Sequence, residues 1–483
     1  MNTNAKKFDN YINGEWVASD SYIKNTSPSD LDDLIGQYAR AGVADAESAI
    51  KAAREAAPSW GQSALEVRKS VLDRIGAELI ERSAEIGRTL AREEGKTLAE
   101  ASGEVFRSGQ FFQYYAAETL RQMGEITDSV RPGVEVEVRR EPVGVVGIIT
   151  PWNFPMAVAA WKVAPALAFG NTIVLKPADQ VPASAWILAE IISRSELPAG
   201  VFNLVMGPGR EVGEAISTSR DVDALTFTGS VSVGRRIASN MIRNMGKVQL
   251  EMGSKNALVV LNDADLDLAV QCAINGAFFG TGQKCTASSR LIVEEGVHDQ
   301  FIDRMVTEIS KLKVGNPLDQ ETQIGSMANE SQYRQVLEYI ALAKSEGAVL
   351  VTGGESLDLQ PRGYYLAPTL FKDTRNDMQV NREEIFGPVA CVIKARDYDH
   401  ALEMSNDTEF GLTSGIITQS LARSAHFKRH SKTGCVMVNL PTAGTDYHVP
   451  FGGRKSSSYG SREQGKYAEE FYTIVKTNYS KPY

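Results

Sequence analysis

Cysteine is scarce in this sequence. Only Cys272, Cys285, Cys391 and Cys435 occur among its 483 residues, all in the second half and none in a CxxC pair. That argues against a disulfide scaffold and fits a reducing, cytoplasmic setting. Histidine is nearly as sparse. None precedes His298, so a catalytic histidine ahead of Cys285 is ruled out. His426 and His430 have i, i+4 spacing, but no acidic or cysteine partner completes a zinc set, and no metal is expected. A basic excess is missing too: 51 Lys and Arg stand against 60 Asp and Glu, a net charge of −9. Nothing there would displace counterions from phosphates, which argues against a nucleic-acid partner. No apolar run approaches the roughly 18 residues of a membrane-spanning helix. The most hydrophobic stretch, 156–169, is broken by Lys162 and Pro165. The opening MNTNAKKFDNYING has no apolar core behind its lysines, so no secretory signal is expected.

What is present reads as an ordinary globular chain, 43% apolar and 23% charged, long enough for two or three domains with large cores. The N-terminal third is mostly helical by pattern. Residues 43–57 are alanine-rich, and Val67, Val71, Ile75 and Leu79 share one helix face, with Pro58 and Gly61 marking the join between helices. In VEVEVRR, Val134, Val136 and Val138 alternate with charge, the period of a strand with one wet face. Such a ribbon in a helical region suggests an arm. From residue 143 the pattern alternates between strand and helix. Apolar strands are predicted at 143–149, 172–175, 201–205 and 224–227, with Pro182 opening one of the intervening helices. This predicts a doubly wound α/β sheet with right-handed crossovers. A second α/β series begins near Asn256, continues at Arg290 and runs to about Phe451, and the tail EEFYTIVKTNYS looks extended.

Several loops carry residues suited to chemistry. Gly229-Ser230 follows a predicted strand and opens a helix whose N-terminus favours a phosphate, though a plain turn explains it as well. Asn153, in Pro151-Trp152-Asn153-Phe154-Pro155, lies beyond a strand end and can offer an amide N–H to an oxyanion; shaping the turn is the competing reading. Lys176 also sits at a strand end, where it contacts a cofactor or faces solvent. In Gly282-Gln283-Lys284-Cys285, a cation beside a thiol would favour thiolate, and a structural cysteine is the alternative. Glu251 and Glu384 adjoin apolar residues and glycine, where burial would raise a carboxyl pKa into the range of a general base; an ordinary surface or capping glutamate is the competing reading for each. Cys272, Cys391 and Cys435 read as core.

The ordered set PWNFP, LKP, FTGS, LEMGSKN, GQKC, EEIFGPV and PFGGRK, with 34 positions from Glu251 to Cys285, resembles the NAD(P)-dependent aldehyde dehydrogenase superfamily over essentially the whole chain. The resemblance implies an α/β fold: a Rossmann-type cofactor domain (1–123 and 143–252), an α/β catalytic domain (253–452) and a β-ribbon oligomerisation arm with the C-terminal tail (124–142 and 453–483). It implies a homodimer or homotetramer. It makes Cys285 the nucleophile, Asn153 and the Cys285 N–H the oxyanion donors, and Glu251 the base that activates water. Cofactor contacts fall on Ile149, Thr150, Pro151, Trp152, Lys176, Asp179, Gly209, Gly229, Ser230, Glu384 and Phe386.

Asp179 stands where members preferring NAD often carry Glu, which favours NAD and leaves NADP open. Ser254 stands where many members have glycine. GQKCTASSR and the segment around PFGGRK look most like bacterial α-ketoglutaric semialdehyde (2,5-dioxopentanoate) dehydrogenases, which typically carry Arg at the position of Lys284. Trp161 and Phe279 replace the arginines of succinic semialdehyde enzymes. The implied substrate wall is Phe154, Val158, Trp161, Thr286 and Phe451, with Lys284 either pairing with a substrate carboxylate or facing solvent. Alternatives are a bulkier apolar or aromatic aldehyde, a CoA-acylating enzyme and an inactive scaffold. Retention of Glu251 argues for hydrolysis and against a CoA-acylating enzyme, and the set of Cys285, Glu251 and Asn153 argues against the scaffold.

Overall fold

The computed structural model describes residues 6–121 and 124–482. Its centre is two α/β sheets. The first has eight strands, and five of them are parallel, in the spatial order Lys247–Glu251, Ala224–Thr228, Val145–Ile149, Thr172–Lys176, Phe202–Leu204. The first of these in the chain, Val145–Ile149, lies between the fourth and the second. Connections therefore leave it in opposite directions, and a crevice opens at the carboxyl ends beside it. Both faces are covered. Val146 and Ile148 pack with Phe112, Val163 and Leu167, while Val145 and Ile149 pack with Ala49, Ile216 and Ile237. This two-sided burial is why these strands read as continuous apolar runs.

The second sheet has seven strands: Val349–Thr352, Thr369–Thr374, Val389–Ala395, Ser288–Glu294, Asn256–Val260, Thr413–Ile417 and Cys435–Val438, with only the first antiparallel. Leu258 and Val260 face Phe278 and Phe301, and Val259 faces Met404 and Phe427. The α/β expectation is met in both halves. Cys272 and Cys391 are buried as core, and Cys435 is half-buried in its strand.

A third, antiparallel sheet joins Glu135–Pro142 to Gly124–Asp128 on one side and Thr473–Ser480 on the other. Ile126, Val475 and Tyr479 on it are exposed.

The N-terminal third is helical over Val43–Gly61, Leu65–Glu81, Ser83–Glu94 and Leu98–Glu118, as expected, and departs from that reading ahead of residue 43. Five short strands precede the first helix, from Lys7–Phe8 to Leu34–Ala39. Asn10–Ile12 and Glu15–Val17 form a hairpin across Asn13 and Gly14, whose φ values of 54° and 83° suit a tight turn of the kind Asn-Gly favours. Strands this short leave little periodicity to detect. Pro58 does not end the first helix, which runs Val43–Gly61 with the proline near its last turn. On the next helix, Leu65–Glu81, Val71, Ile75 and Leu79 are buried but Val67, in its first turn, is exposed. Ser458–Tyr459 is an antiparallel edge strand on Lys247–Glu251, so part of the tail belongs to the first sheet.

Candidate active site

The carboxyl ends of the first sheet face the amino ends of the second, and a cavity of about 230 Å³ lies between them. From the first sheet come Pro151, Trp152 and Asn153 after one strand, Gly229 and Ser230 after another, and Glu251 at the end of a third. From the second come Cys285 ahead of Ser288–Glu294, and Glu384 and Phe386 ahead of Val389–Ala395. Phe154, Val158, Trp161 and Phe451 close an apolar side. Trp152 and Phe386 meet edge to face, with centroids 5.3 Å apart, and Trp161 and Phe451 lie 5.9 Å apart.

The loop before Cys285 needs its glycines. Gly280, Thr281 and Gly282 have φ values of 62°, 54° and 65°, and a Cβ on Gly282 would lie 2.2 Å from the Gly387 carbonyl oxygen. Beyond the turn the chain is pinned. Asn256 Nδ2 donates to the Cys285 oxygen at 2.8 Å and to the Ala287 oxygen at 2.9 Å. Ser254 Oγ donates to Asn256 Oδ1 at 2.7 Å, so the residue that departs from the family's glycine orients the amide holding the thiol's loop. Asn153 Nδ2 donates to the Gln283 oxygen at 2.8 Å, placing a buried amide two residues from the thiol.

Electrostatics at the site run against easy ionisation. Burial raises the pKa of the Cys285 thiol, and the charges of Glu384 and Glu251 raise it further. Glu251 is itself held well above the carboxylate range, first by burial and then by Glu463; Ser458, Lys162 and Arg462 oppose this. Its Oε2 accepts the Ser458 hydroxyl at 2.6 Å. Beneath it Lys162 and Glu463 form a fully buried ion pair, and Lys162 also donates to Thr226 Oγ1 at 2.7 Å. Glu384 is pushed up to about 7 by burial, against the Ser254 N–H that donates to it at 2.8 Å and the charge of Lys255.

Lys284 requires a correction. Its Nζ donates to the Asn275 carbonyl oxygen at 2.8 Å and it is not part of the cavity wall; its charge interacts with that of Cys285, but burial and then Glu384 and Glu251 outweigh it and hold the thiol's pKa up. Loss of water around the ammonium brings its own pKa down to about 8. Adjacent residues in this turn send their side chains in different directions, so adjacency in sequence does not bond the ammonium to the sulfur. Thr286 is buried outside the wall, its carbonyl taking the Thr442 hydroxyl at 2.7 Å.

Ile149, Thr150, Lys176, Asp179 and Gly209 also lie off this cavity. Lys176 Nζ pairs with Asp179 Oδ1 at 2.5 Å, and a Cβ on Gly209 would stand 3.8 Å from that nitrogen, so these three form a separate cluster.

A sequence model described as the aldehyde dehydrogenase family matches residues 16–478. The chain belongs to the aldehyde dehydrogenase family. This aldehyde dehydrogenase is 40% identical to the α-ketoglutaric semialdehyde dehydrogenase of Bacillus subtilis, over 99% of each chain. It is 38% identical to the 2,5-dioxopentanoate dehydrogenase of Saccharolobus solfataricus, over 98% of each. Among solved structures, betaine aldehyde dehydrogenase from Staphylococcus aureus in complex with NAD+ superimposes with a TM-score of 0.96 at 32% identity, covering 99% of this chain and 95% of that one.

Sequence reading missed several residues of this dehydrogenase's cavity. Met252 and Gly253 line it from within a motif already noted. Ser458 lies just past PFGGRK, where only its pairing opposite Glu251 reveals a role. Gln332, Gln335 and Leu412 also line the cavity and carry no local signal.

Proposed function

We propose that the enzyme oxidises α-ketoglutaric semialdehyde to the dicarboxylic acid with NAD, and that NADP is the weaker alternative. The observation carrying the reading is the convergence of Cys285, Asn153 and Glu251 on one cavity walled by Trp161 and Phe451. The similarity to two dehydrogenases named for this substrate supports the substrate class. Within the wall, the Trp161 Nε1 is buried without a hydrogen-bond partner among the described residues. It is a donor available to a keto or carboxylate oxygen, because leaving it unmatched is costly.

The chain's groups fit the dinucleotide. Ser230 caps helix Val231–Arg243 without spending its side chain on the cap, so the first-turn amides are open to a pyrophosphate. Glu384 at the cavity, and Lys176 with Asp179 beside Gly209, are suited to ribose hydroxyls. A carboxylate at 179 disfavours a 2′-phosphate.

Cys285 sulfur, as thiolate, bonds to the aldehyde carbon while the carbonyl pair moves to oxygen. Asn153 Nδ2 and the Cys285 N–H donate to that oxyanion. When bound, NAD supplies the acceptor for the hydride that leaves as the oxyanion collapses to a thioester on Cys285. Glu251 takes a proton from water, the hydroxyl adds to the thioester carbon, and the thiolate departs. Because Glu251 is present, water rather than CoA is the acyl acceptor in this reading. Outside the site, we assign cofactor binding to 1–123 and 143–252, the nucleophile to 253–452, and subunit pairing to 124–142 and 453–483, although Ser458 in the last segment serves Glu251. The exposed Ile126, Val475 and Tyr479 support a homodimer or homotetramer, and four free cysteines support a reducing, cytoplasmic setting.

NADH formation with 2,5-dioxopentanoate, succinic semialdehyde and benzaldehyde tests the substrate. We expect kcat/KM for 2,5-dioxopentanoate to lead by about tenfold, or about 1.4 kcal/mol. A lead for benzaldehyde would transfer the assignment to aromatic aldehydes.

A further inference from the structure

Behind Asn153 lies a buried charged ladder that takes no part in the steps above. It is built by residues 94–104, where helix Ser83–Glu94 ends and helix Leu98–Glu118 begins. Lys96, 4% exposed, donates from Nζ to the main-chain oxygen of Asn153 at 2.6 Å and to Glu104 Oε2 at 2.6 Å. The same nitrogen stands 4.0 Å from the centroid of Phe154. Glu104, 6% exposed, uses its other oxygen to accept the N–H groups of Met156 and Ala157, each at 3.0 Å. One ion pair thus grips both ends of the turn that carries Asn153: the carbonyl ahead of Phe154 and two amides behind it.

Glu100 extends the ladder to the other loop. Its Oε1 accepts the Gly280 N–H at 2.7 Å, at the start of the left-handed turn leading to Cys285, while its Oε2 accepts from Thr97. Asn153 Nδ2 on the Gln283 oxygen closes the ring between the two loops. Burying a lysine and a glutamate is expensive, and apolar residues of similar shape often stabilise a fold as well or better. The pair's hydrogen bonds go to the backbone at 153, 156 and 157, which points to placement of that loop as its use.

We propose that Lys96 and Glu104 are positioning residues for the Asn153 oxyanion donor, and that Glu100 sets the nucleophile's loop against it. The proposal rests on the reading of Asn153 as that donor. A misplacement of about 1 Å in such a group costs about 10²-fold in rate.

The test uses the full-length enzyme with the variants Lys96→Met, Asn153→Ala and the two combined. Hydride transfer is followed by stopped flow, NAD affinity by fluorescence quenching, and alkylation of Cys285 by iodoacetamide, a displacement that forms no oxyanion. Lys96→Met should slow hydride transfer about 10²-fold, with NAD affinity and alkylation within about threefold of wild type. Added to Asn153→Ala, it should cost no more than about threefold further, because both changes disable one device. A folded Lys96→Met enzyme at wild-type rate overturns the proposal, as does a full additional loss on the Asn153→Ala background. If Lys96→Met does not fold, Glu104→Gln, which keeps an acceptor for Met156 and Ala157, goes through the same cycle under the same criteria. Should Asn153→Ala itself retain the wild-type rate, the oxyanion reading fails and this proposal with it. Loss in Asn153→Ala alone leaves that reading standing and removes only the ladder's role.

Discussion

Replacing Ser458 by alanine should raise the pH at which Glu251 becomes a base. The Ser458 oxygen accepts the Gly453 N–H at 2.6 Å, so its single proton goes to Glu251 Oε2, also at 2.6 Å. That bond favours the carboxylate and opposes the upward push of burial and Glu463. A hydrogen bond to a charged group is worth about 1.5–3 kcal/mol. Its loss therefore moves the Glu251 pKa further up. On the acid side of its pKa, thioester hydrolysis should then slow about 10–100-fold, while the burst of NADH that precedes hydrolysis keeps its amplitude. Stopped-flow traces and steady-state kcat across a pH series measure both. A carboxyl whose folded pKa lies above its unfolded value binds more protons when folded, so its contribution to stability falls as pH rises between the two. Ser458→Ala widens that window, and its Tm deficit against wild type should grow as pH rises through the raised Glu251 pKa. An acid limb that stays in place or moves to lower pH refutes the reasoning, as does a burst that disappears together with turnover.

Three further outcomes follow from the same geometry. Glu384→Gln removes a charge that raises the Cys285 thiol, so iodoacetamide should alkylate Cys285 faster, by about tenfold per unit of pKa lowered. Because Glu384 titrates near 7, the acceleration should be larger at pH 8 than at pH 6, and an unchanged rate contradicts the assignment. Asp179→Ala frees Lys176 and removes a negative charge, and the NADP-to-NAD ratio of kcat/KM should rise about tenfold; a ratio that stays fixed takes Asp179 out of cofactor choice. Ending the chain at Tyr472 deletes a strand paired with Glu135–Pro142 over eight residues, and sedimentation should then report monomers; an intact oligomer would remove the ribbon from subunit assembly.

The two sheets were legible because their strands are buried on both faces and connected by helices, which leaves unbroken runs such as Val145–Ile149 and Asn256–Val260. The opening strands were not. Lys7–Phe8 and Glu15–Val17 are two and three residues long, less than one cycle of any detectable alternation. The ribbon fell between these cases. Val136 is buried and Glu135 exposed, but Glu137 and Val138 are both half-buried, so the alternation holds only at the start of the strand, and its third strand lies more than 300 residues away at Thr473–Ser480.

Within the site, the residues that would touch substrate or cofactor were legible for a local reason. Each follows or precedes a strand, where the chain must turn and where glycine and proline make a motif: Asn153 in PWNFP, Ser230 in FTGS, Cys285 in GQKC. Residues that hold them carry no such mark. Lys96 reaches the backbone of Asn153 from 57 positions away, Glu100 meets Gly280 across 180, and Ser458 meets Glu251 across 207. In sequence these are a lysine, a glutamate and a serine among many. Lys284 is the converse. Its adjacency to Cys285 suggested thiolate stabilisation, yet the ammonium goes to the Asn275 carbonyl, while burial and then Glu384 and Glu251, remote in sequence, raise the thiol's pKa. A neighbour in the chain is tied to its partner only through the backbone, and the turn at 280–282 decides where its side chain goes. The thiol's protonation is set by what the fold delivers across the interface of the two sheets. A substitution at Glu384 should therefore alter the thiol's reactivity more than Lys284→Met does, and a larger effect from Lys284→Met would restore the sequence-local view.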